Sequence, residues 1–290
     1  MPAHRCASCL ADIQEKGEND MKVVIFCGGM GLRMRELSRD LPKPMLTVGD
    51  KPILWHLMNY YAHHGHREFV LCLGYQGQAI KQYFLKKQED VSENDFVLSN
   101  GSIQHLPSEM NDWSITFVDT GLHTSIGQRL KKVQHLLQDE PMFMATYGDN
   151  LTDAPINEMA SVFSQQPNRT AMFLCVHPSQ SFHLVRMTGA SSDTQVVGFE
   201  SSTTSDLWIN GGFFLFRPDI FNNLSHGEDI VPDALNRLAV QGRLSAWRHE
   251  GFWAAMDTPK EMFTLDSIYS TGHAPWAKWT HAGESEQPQP

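Results

Sequence analysis

The sequence predicts an α/β protein with a mostly parallel, mixed central sheet flanked by helices. Three observations carry that expectation. The apolar run at 23–26 (VVIF) stops abruptly at Gly28, Gly29 and Gly31, which reads as a buried strand feeding a glycine-rich turn. The same order recurs at 69–73, where Gly74-Tyr75-Gln76-Gly77 leads into a helix with Ile80, Tyr83 and Phe84 on one face. A third apolar run, 142–147, delivers Gly148-Asp149-Asn150. Repeated βα units of this kind predict a parallel sheet covered by helices, with ligands bound beyond the carboxyl ends of the strands.

The remaining elements follow in order. Residues 51–64 place Leu54, Leu57, Met58 and Tyr61 at helical spacing and stop at Gly65. The nearby His56, His63, His64 and His66 are read as structural, since none has a partner at ligand spacing. Residues 86–112 are polar, weakly periodic and interrupted by Asn100-Gly101 and Pro107, and are expected to form an insertion. Residues 115–118 read as a strand running into Asp119-Thr120-Gly121, and the polar loop to Gly127 opens a helix carrying Arg129, Lys131 and Lys132. A buried strand is expected over 170–176, then short β-like runs at 184–187 and 196–200. The run 208–216 (WINGGFFLF) sets Asn210 and two glycines in an apolar strand, where glycine marks close approach of a ligand or another backbone. A helix is expected over 230–241, an edge strand over 244–248 and a last helix over 258–269, capped by Thr258 with Pro259 next. The tryptophans of APWAKW are expected to dock on an apolar surface of the same or a neighbouring subunit.

A chain of 290 residues with 41% hydrophobic and 19% charged content can bury a substantial core. The expected organisation is a disordered extension over 1–20, one domain over 21–280 and a disordered tail over 281–290. No apolar run reaches the roughly 18 residues of a membrane helix, and the first residues lack the apolar core of a secretory signal. A cytoplasmic protein with no membrane partner is therefore expected. The net charge of -10 argues against sequence-independent nucleic-acid binding, whereas a nucleotide enzyme needs only a local cluster of cations and a metal. Cys27, Cys72 and Cys175 lie in apolar runs and read as reduced core residues. Cys6 and Cys9 form a C-x-x-C with His4 nearby but lack a second pair at zinc-ribbon spacing.

A glycine turn after a buried strand can wrap a phosphate, because consecutive backbone N–H groups converge on an anion where no Cβ intervenes. Arg33 and Arg35 stand nearby to neutralise its charge. The spacing fits neither G-x-G-x-x-G nor G-x-x-x-x-G-K-[ST], and the same residues also suit a plain tight turn with two surface arginines. Asp149, just past a strand, either caps the next helix or binds a metal, which would need a partner carboxylate brought to it by the fold.

The pattern GG-x-G-x-R with Lys43-Pro44 beyond it resembles the signature loop of sugar-1-phosphate nucleotidylyltransferases. KPMLTVGDKPILWHLMNYYAHHG, LCLGYQG, FVDTG with GQRLKKV after it, YGDN, INGGFF, GFWAAMDT and APWAKW then occur in the order of the glucose-1-phosphate cytidylyltransferase branch, from about Met21 to Trp279. The resemblance implies a Rossmann-like nucleotidyltransferase fold with a small antiparallel acceptor-binding subregion. Its nucleotide part would span about 21–150, its acceptor part about 151–257, and its C-terminal helix and tail about 258–280. It further implies transfer of CMP from CTP to glucose 1-phosphate or a related sugar 1-phosphate, release of pyrophosphate, and a homo-oligomer. By the same resemblance Arg33 and Lys43 are the catalytic cations. Gly28, Gly29, Gly31, Gly74, Thr120, Gly121, Gly127, Arg129 and Gly148 surround the nucleotide. His183, Arg186, Glu200, Asn210 and Gly211 face the acceptor, and Asp149 and Asp257 hold Mg²⁺.

Three positions depart from the branch. Its E-K-P lysine, which grips the sugar phosphate, is Ser201 here, after Glu200. Losing a charge-assisted hydrogen bond of about 1.5 to 3 kcal/mol weakens acceptor binding about tenfold to a hundredfold unless another cation, with Arg186 the candidate, replaces it. His183 replaces the glycine of an F-G-A-L run, and Leu32 replaces the threonine of the signature loop. These changes leave two alternatives open: a cytidylyltransferase acting on a non-sugar phosphate or phosphonate, and a non-catalytic paralogue that binds a nucleotide or nucleotide sugar.

Overall fold

The computed structural model describes residues 20–29, 31, 41–89, 96–99, 102–105, 112–179, 183–189, 195–203 and 206–281. The chain runs through β1 (Val23–Phe26), α1 (Ile53–His63), β2 (Glu68–Leu73), α2 (Gly77–Glu89), β3 (Ser114–Asp119), α3 (Ile126–Lys132) and β4 (Phe143–Tyr147). It continues through α4 (Ile156–Ser164), β5 (Ala171–Val176), β6 (Ile209–Phe216), α5 (Leu235–Val240), β7 (Leu244–His249) and α6 (Pro259–Ser270).

The seven strands form one sheet in the order β7-β5-β6-β4-β1-β2-β3. Every pairing is parallel except those of β6, which runs antiparallel to both β4 and β5. All four residues of β1 are buried because both faces of the sheet are covered. Val23 and Ile25 join the core beneath α1, α2, α4 and α6, while Val24 and Phe26 join the core beneath α3 and α5. A strand covered on both faces reads as a continuous apolar run rather than an alternating one. The chain lays β2 and β3 on one side of β1 and then crosses to β4 on the other, so the strand order reverses at β1. Clefts open outside the carboxyl ends of strands at such a reversal.

The sequence expectations for β1, β2, β4, the edge strand β7 and the capped helix α6 match these elements. At α6, Glu261 N–H donates to Thr258 Oγ1 (3.3 Å) and Thr258 N–H donates to Glu261 Oε2 (2.8 Å), a capping box. The tryptophan segment docks on its own chain. Trp276 is fully buried, and Trp279 packs edge-on against Trp55 of α1. His56, also on α1, bonds Val48 O through Nε2 (2.8 Å).

One expectation needs correction. Residues 230–241 are not one helix, because a π-turn over Ile230–Ala234 with Val231 extended precedes α5. Val231 stands before Pro232, and the proline ring disfavours the helical region for the residue preceding it. Within 86–112, the weakly periodic stretch contains an antiparallel pair, Phe96–Ser99 with Ser102–His105. The expected extension, including Cys6 and Cys9, lies outside the described residues except for Asp20, and the tail lies outside them except for His281. No helix among the described residues is long and apolar enough to cross a membrane.

Candidate active site

Asp149 follows β4 at the rim where the strand order reverses. The next three residues, Asn150–Thr152, pair antiparallel with Trp253–Ala255, with Asn150 opposite Ala255. Met256 N–H then donates to Asp149 O (3.0 Å), so Asp257 is delivered to the side of Asp149. Asp257 N–H donates to Glu261 Oε2 (2.7 Å), which ties this backbone to the capping box of α6. Lys43 opens a short 3₁₀ turn, Lys43–Met45, with Pro44 at its start. Its ammonium lies 2.5 Å from Asp149 Oδ2 and 2.5 Å from Asp257 Oδ1. Burial alone would lower the lysine's pKa, but the two carboxylates outweigh it and hold the pKa above its ordinary value. Lys43 is thus charged throughout the neutral range.

These three groups line a cleft of about 620 Å³ that also contains Gly29, Gly31 and Asn210. The glycines permit the close approach. Gly31 has φ +53°, and a Cβ there would stand 3.3 Å from Lys43 Cβ. Gly148 N–H donates to Phe26 O (3.2 Å), and a Cβ at Gly148 would sit 3.2 Å from Cys27 Sγ. Gly211, expected to face the acceptor, is buried and not among the residues that line the cleft; its carbonyl accepts from Trp253 Nε1 (2.8 Å) and Asn150 Nδ2 (3.1 Å) and so braces two residues that do. Gly212 has φ +77°, and a Cβ there would be 2.4 Å from the Tyr147 ring. Tyr147, Ile126, Ile209 and Trp253 line the cleft and were not among the expected site residues. Tyr147 and Trp253 do lie inside the YGDN and GFWAAMDT runs, where apolar character concealed their exposure to the cleft.

Arg129 is placed differently from the expectation. Its guanidinium is buried and donates to Thr120 Oγ1 (2.6 Å), Gly28 O (3.0 Å), Leu73 O (3.1 Å) and Leu122 O (3.3 Å). It therefore ties the ends of β1, β2 and β3 together from behind the rim. A Cβ at Gly28 would lie 2.0 Å from Arg129 Nη1, and one at Gly74 would lie 2.8 Å from the same atom. These two bare α-carbons thus make room for an arginine. Thr120 belongs to the same lattice, donating through Oγ1 to Leu73 O (2.6 Å). Gly121 turns the chain with φ +88°. Gly127 N–H donates to Asp229 Oδ1 (2.7 Å), and a Cβ there would meet Glu228 O at 2.7 Å.

The acceptor residues divide. Asn210 lines the cleft, and its Oδ1 accepts from Gly212 N–H (2.9 Å). His183, Arg186 and Glu200 stand on a two-stranded hairpin, His183–Thr188 with Gln195–Ser201, and are not among the residues that line the cleft. Arg186 pairs with Glu200 there, and Ser201 Oγ is bonded to Thr203 Oγ1 (2.8 Å). Arg33 lies outside the described residues.

A doubly wound sheet with a glycine turn, and two carboxylates gathered round a lysine in a cleft at its reversal point, defines a nucleotide-handling α/β protein. The chain belongs to the nucleotidyl transferase family, whose model matches residues 22–268. It is 36% identical over 261 residues to the probable glucose-1-phosphate cytidylyltransferase of Bacillus subtilis, covering 89% of this chain and 100% of the relative. With the glucose-1-phosphate cytidylyltransferase of Salmonella typhimurium the identity is 34% over the same share of each chain. Among solved structures, UDP-glucose pyrophosphorylase complexed with UDP-glucose superposes with a TM-score of 0.63 at 15% identity, over 87% of this chain and 99% of that one. At that identity the likeness is one of fold.

Proposed function

We propose that this chain transfers CMP from CTP to a sugar 1-phosphate, glucose 1-phosphate or a close relative, and releases pyrophosphate. The observation that carries the proposal is the convergence of Lys43, Asp149 and Asp257 in a cleft, in a chain similar along most of its length to cytidylyltransferases. An acceptor phosphate oxygen attacks the α-phosphorus of CTP, forming one P–O bond and breaking the bond to the β-phosphate. No protein nucleophile is required, because such transfers depend on positioning and on neutralising charge that builds on the oxygens. Lys43 and Arg33 neutralise the triphosphate and the departing pyrophosphate. Arg129 acts indirectly by holding Gly28 and the Thr120 loop in register. Asn210 faces the acceptor from the wall of the cleft, with Gly211 supporting it from behind.

The donor set fits a divalent metal. Two carboxylates aimed at one cationic point suit Mg²⁺, which is held by one or two carboxylates and completes its shell with substrate phosphates and water. Among the described residues no group of three or more His, Cys, Asp and Glu forms a self-sufficient metal cage. When bound, Mg²⁺ would neutralise the α-phosphate and the attacking oxygen.

Incubating the protein with CTP, Mg²⁺ and a panel of sugar and non-sugar phosphates, with mass-spectrometric identification of products, tests the proposal. The expected product is a CDP-sugar. A CDP-linked product from a non-sugar phosphate or phosphonate alone would reassign the acceptor class. CTP binding with no product across the panel would favour a nucleotide-binding paralogue.

A further inference from the structure

Lys43 occupies the point on which both carboxylates converge. Its Nζ is 2.5 Å from Asp149 Oδ2 and 2.5 Å from Asp257 Oδ1, and the lysine side chain is only 12% exposed. A divalent ion held by both carboxylates would need the volume and the charge balance that this ammonium now supplies. The three groups come from segments 106 and 214 residues apart in sequence, so the arrangement is a product of the fold and not of a local turn. Its supports lie within the chain: the Asn150–Ala255 pairing, the backbone bond from Met256 N–H to Asp149 O, and the bond from Asp257 N–H to the Glu261 side chain at Oε2.

We infer that Lys43 is a displaceable resident counter-ion, which holds the two carboxylates against divalent metal until a nucleotide triphosphate draws the lysine away. This rests on the proposed nucleotidyl transfer and adds to it an order of events. Without nucleotide, metal binding would force an ammonium and a dication to share two carboxylates, at a distance where like charges repel strongly in a partly dry site. With nucleotide, the phosphate oxygens offer Lys43 a new partner while also serving as metal ligands. Metal and nucleotide therefore bind with strong positive coupling, and by linkage each raises the affinity for the other by the same factor.

The test is Mn²⁺ binding to the whole protein, read by the EPR signal of free Mn²⁺, with and without a non-hydrolysable CTP analogue. In the absence of nucleotide, Lys43→Ala and Lys43→Gln are expected to bind Mn²⁺ about tenfold or more tightly than the parent, since two carboxylates lose their internal cation. In the parent, the analogue is expected to raise Mn²⁺ affinity by a larger factor than in either variant. Asp257→Asn in the Lys43→Gln background is expected to remove the gain, which assigns it to this carboxylate pair. Thermal melts with and without Mn²⁺ identify any variant that fails to fold, and the other lysine variant then decides. Equal Mn²⁺ affinity in nucleotide-free parent and variants, or equal coupling to the analogue, would overturn the inference. These readouts are independent of turnover, so a protein lacking transferase activity could still show the counter-ion exchange, and an active one could fail to show it.

Discussion

Asp149 and Asp257 face each other across the ammonium of Lys43, each 2.5 Å from it, because the strand beginning at Asn150 pairs with the strand ending at Ala255. That antiparallel pair lies outside the seven-stranded sheet, yet it closes the site. Its removal would separate the two carboxylates while leaving the Rossmann-like core intact.

Lys43→Ala is expected to reduce turnover by about a hundredfold or more, the usual effect of deleting one group that stabilises developing charge. The same change is expected to lower stability by no more than about 3 to 6 kcal/mol, since it deletes two charge-assisted bonds of about 1.5 to 3 kcal/mol each at a partly buried site. Steady-state rates set beside denaturant unfolding check both halves. Unchanged turnover would remove Lys43 from the mechanism.

Gly28 and Arg129 are expected to be strongly coupled. Gly28→Ala places a methyl against the guanidinium, and Arg129→Ala strips four oxygen acceptors of their buried donor, so each alone is expected to cost about 2 to 4 kcal/mol. The double variant is expected to be more stable than the sum of the two losses by at least about 1 kcal/mol, because the methyl then enters vacated space. Additive losses in urea unfolding would show that the glycine serves something other than the arginine.

His56 sets a pH dependence of stability. Burial lowers its pKa to about 4, against a backbone bond to Val48 that raises it, while the ordinary value is 6.5. The unfolded chain therefore binds the proton more readily than the folded one. Stability contributed by the neutral imidazole is complete above about pH 6.5 and is lost as pH falls from there towards 4, amounting to roughly 3 kcal/mol. Thermal melts of the parent and of His56→Phe between pH 4 and 8 check the sign, the variant being expected to show the shallower slope below 6.5. Parallel slopes would assign the acid sensitivity to other groups.

Arg186 tests the acceptor side. If it replaces the lysine absent at Ser201, Arg186→Ala is expected to raise KM for the sugar 1-phosphate about tenfold while leaving KM for CTP unchanged. An unchanged acceptor KM would confine Arg186 to its pairing with Glu200 on the hairpin.

The sheet was legible because strands buried on both faces announce themselves as unbroken apolar runs ending in glycine, as at Val23–Phe26 and Glu68–Leu73. Asp149 was legible because it directly follows such a run and its glycine, whereas Asp257 follows a half-buried strand and was paired with Asp149 only through the family resemblance. Arg129 was not, since a cation near a glycine loop has the same sequence signature whether it meets a phosphate or backbone carbonyls, and only the backbone path decides. Trp253 and Tyr147 escaped notice for the opposite reason: an aromatic residue within an apolar run reads as core until a cleft opens beside it. The π-turn before α5 had a signal in Val231-Pro232 that the apolar spacing of Leu235 and Leu238 outweighed.

The most direct measurement is pyrophosphate release from CTP, Mg²⁺ and glucose 1-phosphate by the parent protein, Asp149→Asn and Asp257→Asn, with folding of each checked by thermal melt. The account predicts release by the parent and a loss of about a hundredfold or more in each variant. Release at the parent's rate by either folded variant would contradict it.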